Sequence, residues 1–248
     1  GLLTVLKGRE SYVFSSPIAP PERRTPILIE YLGQAFKFPN IEKVWFELET
    51  PLRKEFLRAL PSHLRANPIN YTLIWPIMDM KTFDVSLPGG HYKFLRKEKH
   101  KFYRNHVVTV LDAKEFEDKE SLHTIIDAWK KRRKAHDRTY CGEYHNMING
   151  NFKGTATARV FIVDGKAVGI NAGWMIPNSN RFYGAIGIHD YSVPNLGAML
   201  YLEDLEWLKD HGYGEVDMGG GERALTEFKK EFLPESFYKT HIFSVVRR

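Results

Sequence analysis

The fold is decided by ARVFIVDGKAVGINAGWMIP at residues 158–177, NRFYGAIGIHDYSVPNLGAMLYLEDLEWLKDHG at residues 180–212 and YGEVDMGGGERALTEFKKEFLPES at residues 213–236. In the first segment, Asp164-Gly165 separates two runs of β-prone residues, 159–163 and 167–176. This dipeptide tolerates the positive φ angles of a tight hairpin turn, so the two runs are predicted to form antiparallel strands. A third strand is predicted over residues 181–188.

A helix is predicted to start within residues 190–194, where polar residues and a proline precede an apolar periodic segment. Its apolar residues recur every three or four positions, namely Ala198, Tyr201, Leu202, Leu205 and Leu208. His211-Gly212 ends this helix, and a short strand over 214–218 leads into three glycines at 219–221. Backbone can approach a ligand closely at such a cluster because no Cβ is in the way.

The rest of the chain alternates between strand and helix signals. Strands are predicted at 2–6, 12–15, 41–49, 71–75 and 106–111, and helices at 25–36, 50–60, 91–106 and 121–138. Residues 139–153 are predicted to be a loop. The alternation predicts a mixed α/β fold in two units. We expect a partial first lobe over residues 1–80 and a complete second lobe over residues 81–248, with the second lobe's sheet built from strands between residues 106 and 246.

Composition narrows the protein class. At 248 residues and 43% hydrophobic content, the chain can bury one large core or two modest ones. The single cysteine, Cys141, excludes an internal disulfide and fits a reducing compartment. We therefore expect a cytoplasmic protein, either free or in peripheral contact with a membrane. The ten histidines lack metal-ligand spacing, and we expect no metal site.

Positive charge is concentrated in one part of the chain. Residues 86–138 contain 14 Lys or Arg against 8 Asp or Glu, a net charge of +6 that equals the net charge of the whole chain. The candidate phosphate-binding or nucleic-acid-binding residues are Lys93, Arg96, Lys97, Lys101, Arg104, Lys130, Lys131, Arg132 and Arg133, with Lys99 and Lys134 in the same two clusters. The clusters are either solvated helix faces or one positive surface for tRNA or an anionic membrane.

Several segments together resemble a known family. They are RKEKHKFYRNHV at 96–107, the hairpin at 158–173, PNLGAMLYLEDLEWLKDHGYGEVDMGG at 194–220 and LTEFKKEFLP at 225–234. In order and spacing they resemble the GNAT-like domains of the lysylphosphatidylglycerol synthase C-terminal family, and more distantly the Fem-type peptidyltransferases. The resemblance covers residues 71–248, and residues 12–80 fit a degenerate first lobe of a tandem GNAT-like fold. It implies an acyltransferase that moves an aminoacyl group from charged tRNA to a lipid hydroxyl or a peptide amine.

One turn departs from the acetyl-CoA branch of this superfamily. Those enzymes place a Q/R-x-x-G-x-G/A turn under the CoA pyrophosphate at a helix N-terminus. The corresponding PNLGAM at 194–199 has one glycine and no leading Gln or Arg. Asn195 and Gly197 are therefore predicted to bind a different substrate group. Aminoacyl-tRNA is favoured as the donor and acyl-CoA is the alternative; an acetyl-CoA-dependent N-acetyltransferase and a non-catalytic binding module of the same fold remain open.

The predicted site lies around the glycine cluster. Asp217 or Glu222 is predicted to bind the acceptor and serve as the base, and Lys229 to be a cation near the donor ester or its phosphate. The wall of the site is predicted to be the backbone of Gly219, Gly220 and Gly221, and Asn171 and Tyr183 are predicted to orient the acceptor. The alternatives are a strand-end turn residue for Asp217, a helix cap for Glu222, an exposed helix lysine for Lys229 and a plain turn for the glycines.

Overall fold

The computed structural model describes residues 1–14, 16–133, 139–177 and 179–248. The chain forms two compact units. The first consists of Gly1–Trp75, Gly220–Phe228 and Phe237–Arg248, and the second of Pro76–Gly219 and Lys229–Ser236. The first unit therefore combines the N-terminal segment with two segments from the end of the chain.

Strands and helices alternate along the described residues. In chain order they are β1 (Leu3–Lys7), β2 (Glu10–Phe14), α1 (Pro21–Ala35), β3 (Lys43–Glu49), α2 (Thr50–Ala59), β4 (Leu64–Ala66), β5 (Tyr71–Asp79), α3 (Lys93–Asn105), β6 (Val108–Asp112), α4 (Lys119–Arg132), α5 (Gly142–Asn149), β7 (Thr157–Val163), β8 (Lys166–Met175), β9 (Arg181–His189), α6 (Leu196–Asp210), β10 (Glu215–Asp217), α7 (Arg223–Lys230) and β11 (Ser236–Arg247). No described helix is both long enough and apolar enough to cross a bilayer.

The sheet of the first unit is mixed. β2 pairs antiparallel with β1 and parallel with β3, and β3 pairs antiparallel with β11. β11 also pairs with the short strand β4 and has β5 as a neighbour. Helices α1 and α2 supply Leu32 and Phe56 to a core that also contains Phe46 and Phe243 from the sheet. Alternate residues of β3 and β11 point into this core, which fixes the register of the two strands.

The sheet of the second unit is also mixed. The end of β5 pairs antiparallel with β10, β10 pairs parallel with β9, and β9, β8, β7 and β6 continue antiparallel. Helices α4 and α5 pack on one face, where Trp129 and Ile148 share a core with Ile170 of β8. Asn171, the next residue of β8, points to the opposite face and binds the carbonyl of Leu200 in α6. The predicted mixed α/β fold class is confirmed.

The predicted hairpin is confirmed, because β7 and β8 pair antiparallel around Asp164 and Gly165. Both turn residues have positive φ, 51° at Asp164 and 80° at Gly165. Asp164 also accepts hydrogen bonds from the His106 side chain and the Val107 backbone, which stabilise the turn from the preceding segment.

We expect Gly165→Ala to lower the free energy of unfolding by about 1 kcal/mol, because a Cβ is strained at a φ of +80° although the turn has open space around it. Urea denaturation of the two proteins measures this difference. Gly33→Ala is a matched control, since Gly33 lies in helix α1 with open space and no positive φ. An unchanged stability of Gly165→Ala would contradict the role given to this turn.

Three predicted elements differ from the structure. Helix α1 begins at Pro21 and not at residue 25, because proline needs no hydrogen-bond acceptor for its nitrogen in a first turn. The loop predicted over 139–153 contains α5, whose Ile148 is buried in the core of the second unit. Strand β11, expected in the second lobe, pairs with β3 and β4 in the first unit. Residues 134–138 of the predicted helix 121–138, and Ser15, lie outside the described residues.

Candidate active site

The two parallel strands at the centre of the second unit separate after one short stretch of pairing. β9 and β10 pair from Arg181–Glu215 to Tyr183–Asp217, after which β9 continues to His189 while β10 ends. The chain turns away at Gly219, whose φ is 84°. A Cβ at Gly219 would stand 3.0 Å from the carbonyl oxygen of Gly184, so only glycine fits this turn beside β9 without a shift.

The side chain of Lys229 ends at this turn. Although Lys229 is in the short helix α7, its side chain is 2% exposed. Its Nζ donates to the carbonyl oxygens of Met218 at 2.6 Å and Gly219 at 2.8 Å, and it lies 5.7 Å from the ring centroid of Tyr201. Burial lowers the pKa of Lys229 to about 8, and the charge of nearby Asp217 opposes that shift. Lys229 is therefore not the exposed helix lysine of the alternative interpretation.

Asp217 stabilises the turn from its other side. This residue is 1% exposed, and its Oδ1 accepts a hydrogen bond from the Gly219 N–H at 2.9 Å. Asp217 therefore forms the turn that the alternative interpretation predicted, and it also places a carboxyl group near the Lys229 ammonium. The turn thus brings a buried amine and a buried carboxyl group close together.

The two residues predicted to orient an acceptor differ in their surroundings. Asn171 is 3% exposed, and its amide donates to the Leu200 carbonyl at 2.8 Å, a bond that holds α6 on the sheet. Tyr183 lies at the separation of β9 and β10, with a ring carbon 3.9 Å from the Cβ position of Gly219. The structure thus brings Tyr183, Gly219, Asp217 and Lys229 together.

Tyr201 lies beside Lys229, and the sequence analysis does not place it in the candidate site. The helical period placed it among the core residues of α6, but its ring faces the Lys229 ammonium and contacts Phe232. Burial raises the pKa of the Tyr201 phenol, so the phenol stays protonated at neutral pH. A Cβ at Gly187 would lie 3.4 Å from the Tyr201 hydroxyl oxygen, a proximity that only the structure reveals.

Gly220, Gly221 and Glu222 belong to the first unit. Gly221 exchanges two backbone hydrogen bonds with Ile74, at 2.9 and 3.0 Å. A Cβ at Gly220 would stand 2.5 Å from the ring of Trp75, so the ring packs directly on the Gly220 backbone. The Glu222 side chain is exposed, and its carbonyl accepts a hydrogen bond from the Thr226 N–H at the start of α7.

The start of α6 was predicted to bind a substrate group. Asn195 precedes the helix with a φ of 62°, and its side-chain amide donates to the Glu98 carboxylate at 2.5 Å. The imidazole of His189 lies on Gly197, where a Cβ would approach it to 2.7 Å. Burial lowers the pKa of His189 to about 4, so this ring is neutral at pH 7. The Glu98 carboxylate and the neutral His189 ring at this turn are unfavourable neighbours for the pyrophosphate of CoA, which is an anion.

The basic clusters lie on two helices that pack on opposite faces of one sheet. α4 packs with α5 on one face, whereas α3 contacts α6 on the other through bonds of Lys99 to Glu206 and Tyr103 to Glu203. The prediction of one continuous positive face is therefore wrong, because the sheet separates the two helices. Lys134 of the second cluster lies outside the described residues.

The basic residues also differ in whether their side chains are exposed or already bonded to the protein. Lys93, Lys97, Lys101 and Arg104 are exposed on α3, and Lys131 and Arg132 are exposed on α4. Arg96 instead donates to the backbone carbonyls of Leu87 and Gly89. Lys130 donates to the Thr139 carbonyl at 2.7 Å, and Arg133 stacks on Trp129. Within the described parts of the chain, no three His, Cys, Asp or Glu residues are placed to hold a metal ion.

Comparison with solved structures relates the whole chain to known folds. The C-terminal domain of an Agrobacterium fabrum protein described as a lysylphosphatidylglycerol synthetase matches with a TM-score of 0.70 and 15% identity, over 98% of this chain and 79% of that chain. A tandem GNAT protein of the clavulanic acid biosynthesis pathway matches with a TM-score of 0.61 and 12% identity, over 99% and 78%. FemX matches with a TM-score of 0.60 and 12% identity, over 98% and 83%. At these identities the likeness concerns the fold.

The predicted resemblance and the GNAT-like fold are confirmed by these neighbours. No curated protein sequence matches the chain. A family model described as an acetyltransferase (GNAT) domain matches residues 90–230, which is more than half of the 248 residues. The chain therefore belongs to the acetyltransferase (GNAT) domain family, which is a family of acyltransferases.

Proposed function

We propose that this chain transfers an aminoacyl group from charged tRNA to a lipid hydroxyl or a peptide amine. The observation that carries the proposal is the buried Lys229 ammonium, fixed on the Met218 and Gly219 carbonyls where β9 and β10 separate. A fixed positive charge in a water-poor site stabilises the negative charge that develops during acyl transfer. The fold shared with a protein described as a lysylphosphatidylglycerol synthetase is consistent with this reaction.

The reaction makes three demands on the site. The lone pair of the acceptor nitrogen or oxygen bonds to the carbonyl carbon of the donor ester, and the C=O π pair moves to oxygen. When that pair returns, the bond to the leaving oxygen breaks, and the leaving oxygen takes up the proton that the acceptor loses. The protein must therefore hold both partners, handle this proton and stabilise the oxyanion.

We assign these roles to the residues around the glycine turn. Asp217 binds the acceptor and handles its proton, with Glu222 as the alternative carboxylate. Lys229 supplies the positive charge, and Tyr183 orients the acceptor. Asn171 has a weaker claim to this role, because its amide already binds the Leu200 carbonyl.

Phosphate contacts are assigned to the α3 basic face, defined by Lys93, Lys97, Lys101 and Arg104. These residues are three or four positions apart and exposed, so they share one side of the helix. The same face would serve as a peripheral contact to an anionic membrane, next to Phe94, which is 64% exposed. Lys131 and Arg132 on α4 form a separate and smaller positive patch.

Replacing Lys97, Lys101 and Arg104 together by Ala is expected to weaken tRNA binding and to lower the slope of log affinity against log salt by about 3, because each neutralised phosphate releases counterions. Filter binding from about 50 to 200 mM salt measures the slope. Lys7, Lys37 and Lys54, which are exposed in the first unit, give a control triple with the same charge change. Equal slopes in the two triples would contradict the assignment, and loss of vesicle binding with unchanged tRNA binding would assign the face to lipid.

An acetyl-CoA-dependent N-acetyltransferase is the second candidate, and the family match is the observation that favours it. The Glu98–Asn195 bond and the His189 ring at the start of α6 argue against it. A non-catalytic binding module would keep the α3 basic face but would not need a buried lysine at the glycine turn.

The deciding experiment offers the protein two kinds of donor. Transfer of radiolabel is measured from aminoacyl-tRNA and from acetyl-CoA, each with vesicles of anionic phospholipid and with peptides that have a free amine. Product from charged tRNA alone supports the proposal. Product from acetyl-CoA alone selects the N-acetyltransferase, and tRNA binding without any product selects the binding module.

A further inference from the structure

One end of the first unit gathers basic side chains around a fixed histidine. Strand β11 places Lys239, His241 and Phe243 on the same face, because alternate residues of a strand point to the same side. Helix α2 packs on this face, and the hydroxyl of Thr50 at its start lies 2.8 Å from His241 Nε2. The hydroxyl of Thr72 on β5 lies 2.9 Å from His241 Nδ1. The imidazole is therefore held between two hydroxyl groups, and all these residues belong to the first unit.

Arg53 of α2 brings a second basic side chain to this histidine. It lies three residues after Thr50, so the two side chains share one side of the helix and lean toward its N-terminus. The Arg53 guanidinium carbon is 4.9 Å from the centroid of the Phe243 ring. Burial lowers the pKa of His241, and the charges of Arg53 and Lys239 lower it further. The two cations thus approach the imidazole from a helix and from a strand.

The fold does not neutralise these two cations. Within the described residues, neither Arg53 nor Lys239 has a carboxylate partner. By strand alternation Glu47 and Glu49 of β3 belong to the opposite face of the sheet, where Glu47 accepts a hydrogen bond from Thr240 at 2.7 Å. The Arg53 Nε is buried without an acceptor in the same part of the chain, and burial lowers the pKa of the guanidinium. Because buried charges are normally paired, a bound anion would stabilise this arrangement.

The groups in this cluster are those that bind phosphate. Arg53 and Lys239 supply two positive charges, and the planar guanidinium pairs with two oxygens of one phosphate group. The lowered pKa of His241 keeps its ring neutral at pH 7. In a neutral imidazole one nitrogen donates and the other accepts, so one of the two threonine hydroxyls accepts from the ring and keeps its own hydrogen for a ligand.

We propose that Arg53, Lys239 and the hydroxyls held by His241 form a binding site for a phosphate group, either of a soluble phosphate ester or of a lipid headgroup. The site lies within the first unit and does not depend on the proposed transfer reaction. Arg53 binds the phosphate from α2, and the exposed Lys239 closes the site from the solvent. His241 is a positioning residue, because it orients the hydroxyl that donates to the phosphate.

The site is tested by the titration of His241 in NMR spectra of protein with labelled histidine, in which His241→Asn identifies the signal. In potassium phosphate the midpoint is expected at a higher pH than in potassium chloride of the same ionic strength, because a bound anion favours the protonated ring. The signal of His63, exposed in the same unit, is the internal control. Equal His241 midpoints in the two salts would overturn the proposal, because they would show only the general screening of charge by salt.

A charge variant tests whether the phosphate lies at this cluster. Lys239→Met is expected to weaken phosphate binding about 10-fold, as the loss of one charged hydrogen bond does. The affinity is measured from the His241 shift during phosphate titration at constant ionic strength. Lys54→Met is the matched control, since Lys54 is exposed on α2. Equal affinities of the two variants would contradict the site. Arg53→Met also loses the contact with Phe243, so the decision rests on Lys239.

Two further ligands distinguish the sources of the phosphate. Glycerol phosphate represents a soluble ester, and vesicles of phosphatidylglycerol represent a lipid headgroup. A His241 shift with glycerol phosphate that weakens in Lys239→Met assigns the site to a soluble ligand. Vesicle binding that weakens in Lys239→Met, without a response to glycerol phosphate, assigns it to lipid. A protein in which neither ligand depends on Lys239 would overturn the proposal, whatever its response to inorganic phosphate.

Discussion

Lys229→Met is expected to lower kcat/KM for acyl transfer by about 100-fold, which corresponds to roughly 2.7 kcal/mol of lost transition-state stabilisation. The methionine fills a similar volume but removes the charge and both hydrogen bonds to the Met218 and Gly219 carbonyls. Because the charge acts on the transition state, the loss is expected in kcat with little change in KM.

The pH profile separates this role from a structural one. Burial holds the pKa of Lys229 at about 8, below its ordinary value. The protonated form is the active one, so wild-type kcat/KM falls as pH rises through about 8, and the residual activity of Lys229→Met lacks that step. Lys230→Met is the control, since Lys230 is the next residue in α7 and is exposed. Full kcat/KM in a folded Lys229→Met protein would refute the assignment.

Breaking the ion pair between Arg159 and Asp204 is expected to have the largest effect on stability. Arg159 on β7 donates to Asp204 on α6 at 2.9 Å, and the two side chains are only 10% and 15% exposed. Burial raises the pKa of Asp204 and the charge of Arg159 opposes that shift, so each charge depends on the other. We expect Arg159→Met to lower the free energy of unfolding by about 3–5 kcal/mol, because it leaves a buried carboxylate without its partner.

Urea denaturation with two further variants tests the cause of this loss. Arg181→Met breaks the bond between Arg181 and Glu215, whose side chains are 34% and 47% exposed, and is expected to cost less than about 1 kcal/mol. Arg159→Met combined with Asp204→Leu removes both buried charges and is expected to recover most of the stability. A double variant no more stable than Arg159→Met would contradict the electrostatic explanation.

Elements with a strong local signal could be predicted from the sequence. Asp164-Gly165 defines a hairpin because its backbone preference is local, and α2 begins at Thr50 as its Thr-Pro start predicts. Helix α5 could not be predicted, because its sequence has no apolar helical period. It is rich in turn-forming and aromatic residues, and Ile148 is its one residue that is buried in the core.

The residue types of the proposed site come from the sequence, whereas their hydrogen bonds come from the structure. A strand that ends in an acidic residue and is followed by glycines predicts a turn from local sequence alone. Asp217 and Gly219 could therefore be predicted to lie at the same turn. The hydrogen bonds of Lys229 could not be predicted from the sequence, because its two acceptors are backbone carbonyls 10 and 11 positions away. For the same reason Arg96 was assigned to phosphate, although it holds the chain before α3.

The position of β11 has a consequence for the order in which the protein folds during synthesis. β11 is synthesised nearly 200 residues after its neighbour β3, so the Phe46–Phe243 contact forms only after β11 has left the ribosome. Until then the apolar faces of α1, α2 and β3 lack the strand that completes their core. The core that contains residues of α1, α2 and β3 thus reaches its native packing late, after β11 has been synthesised.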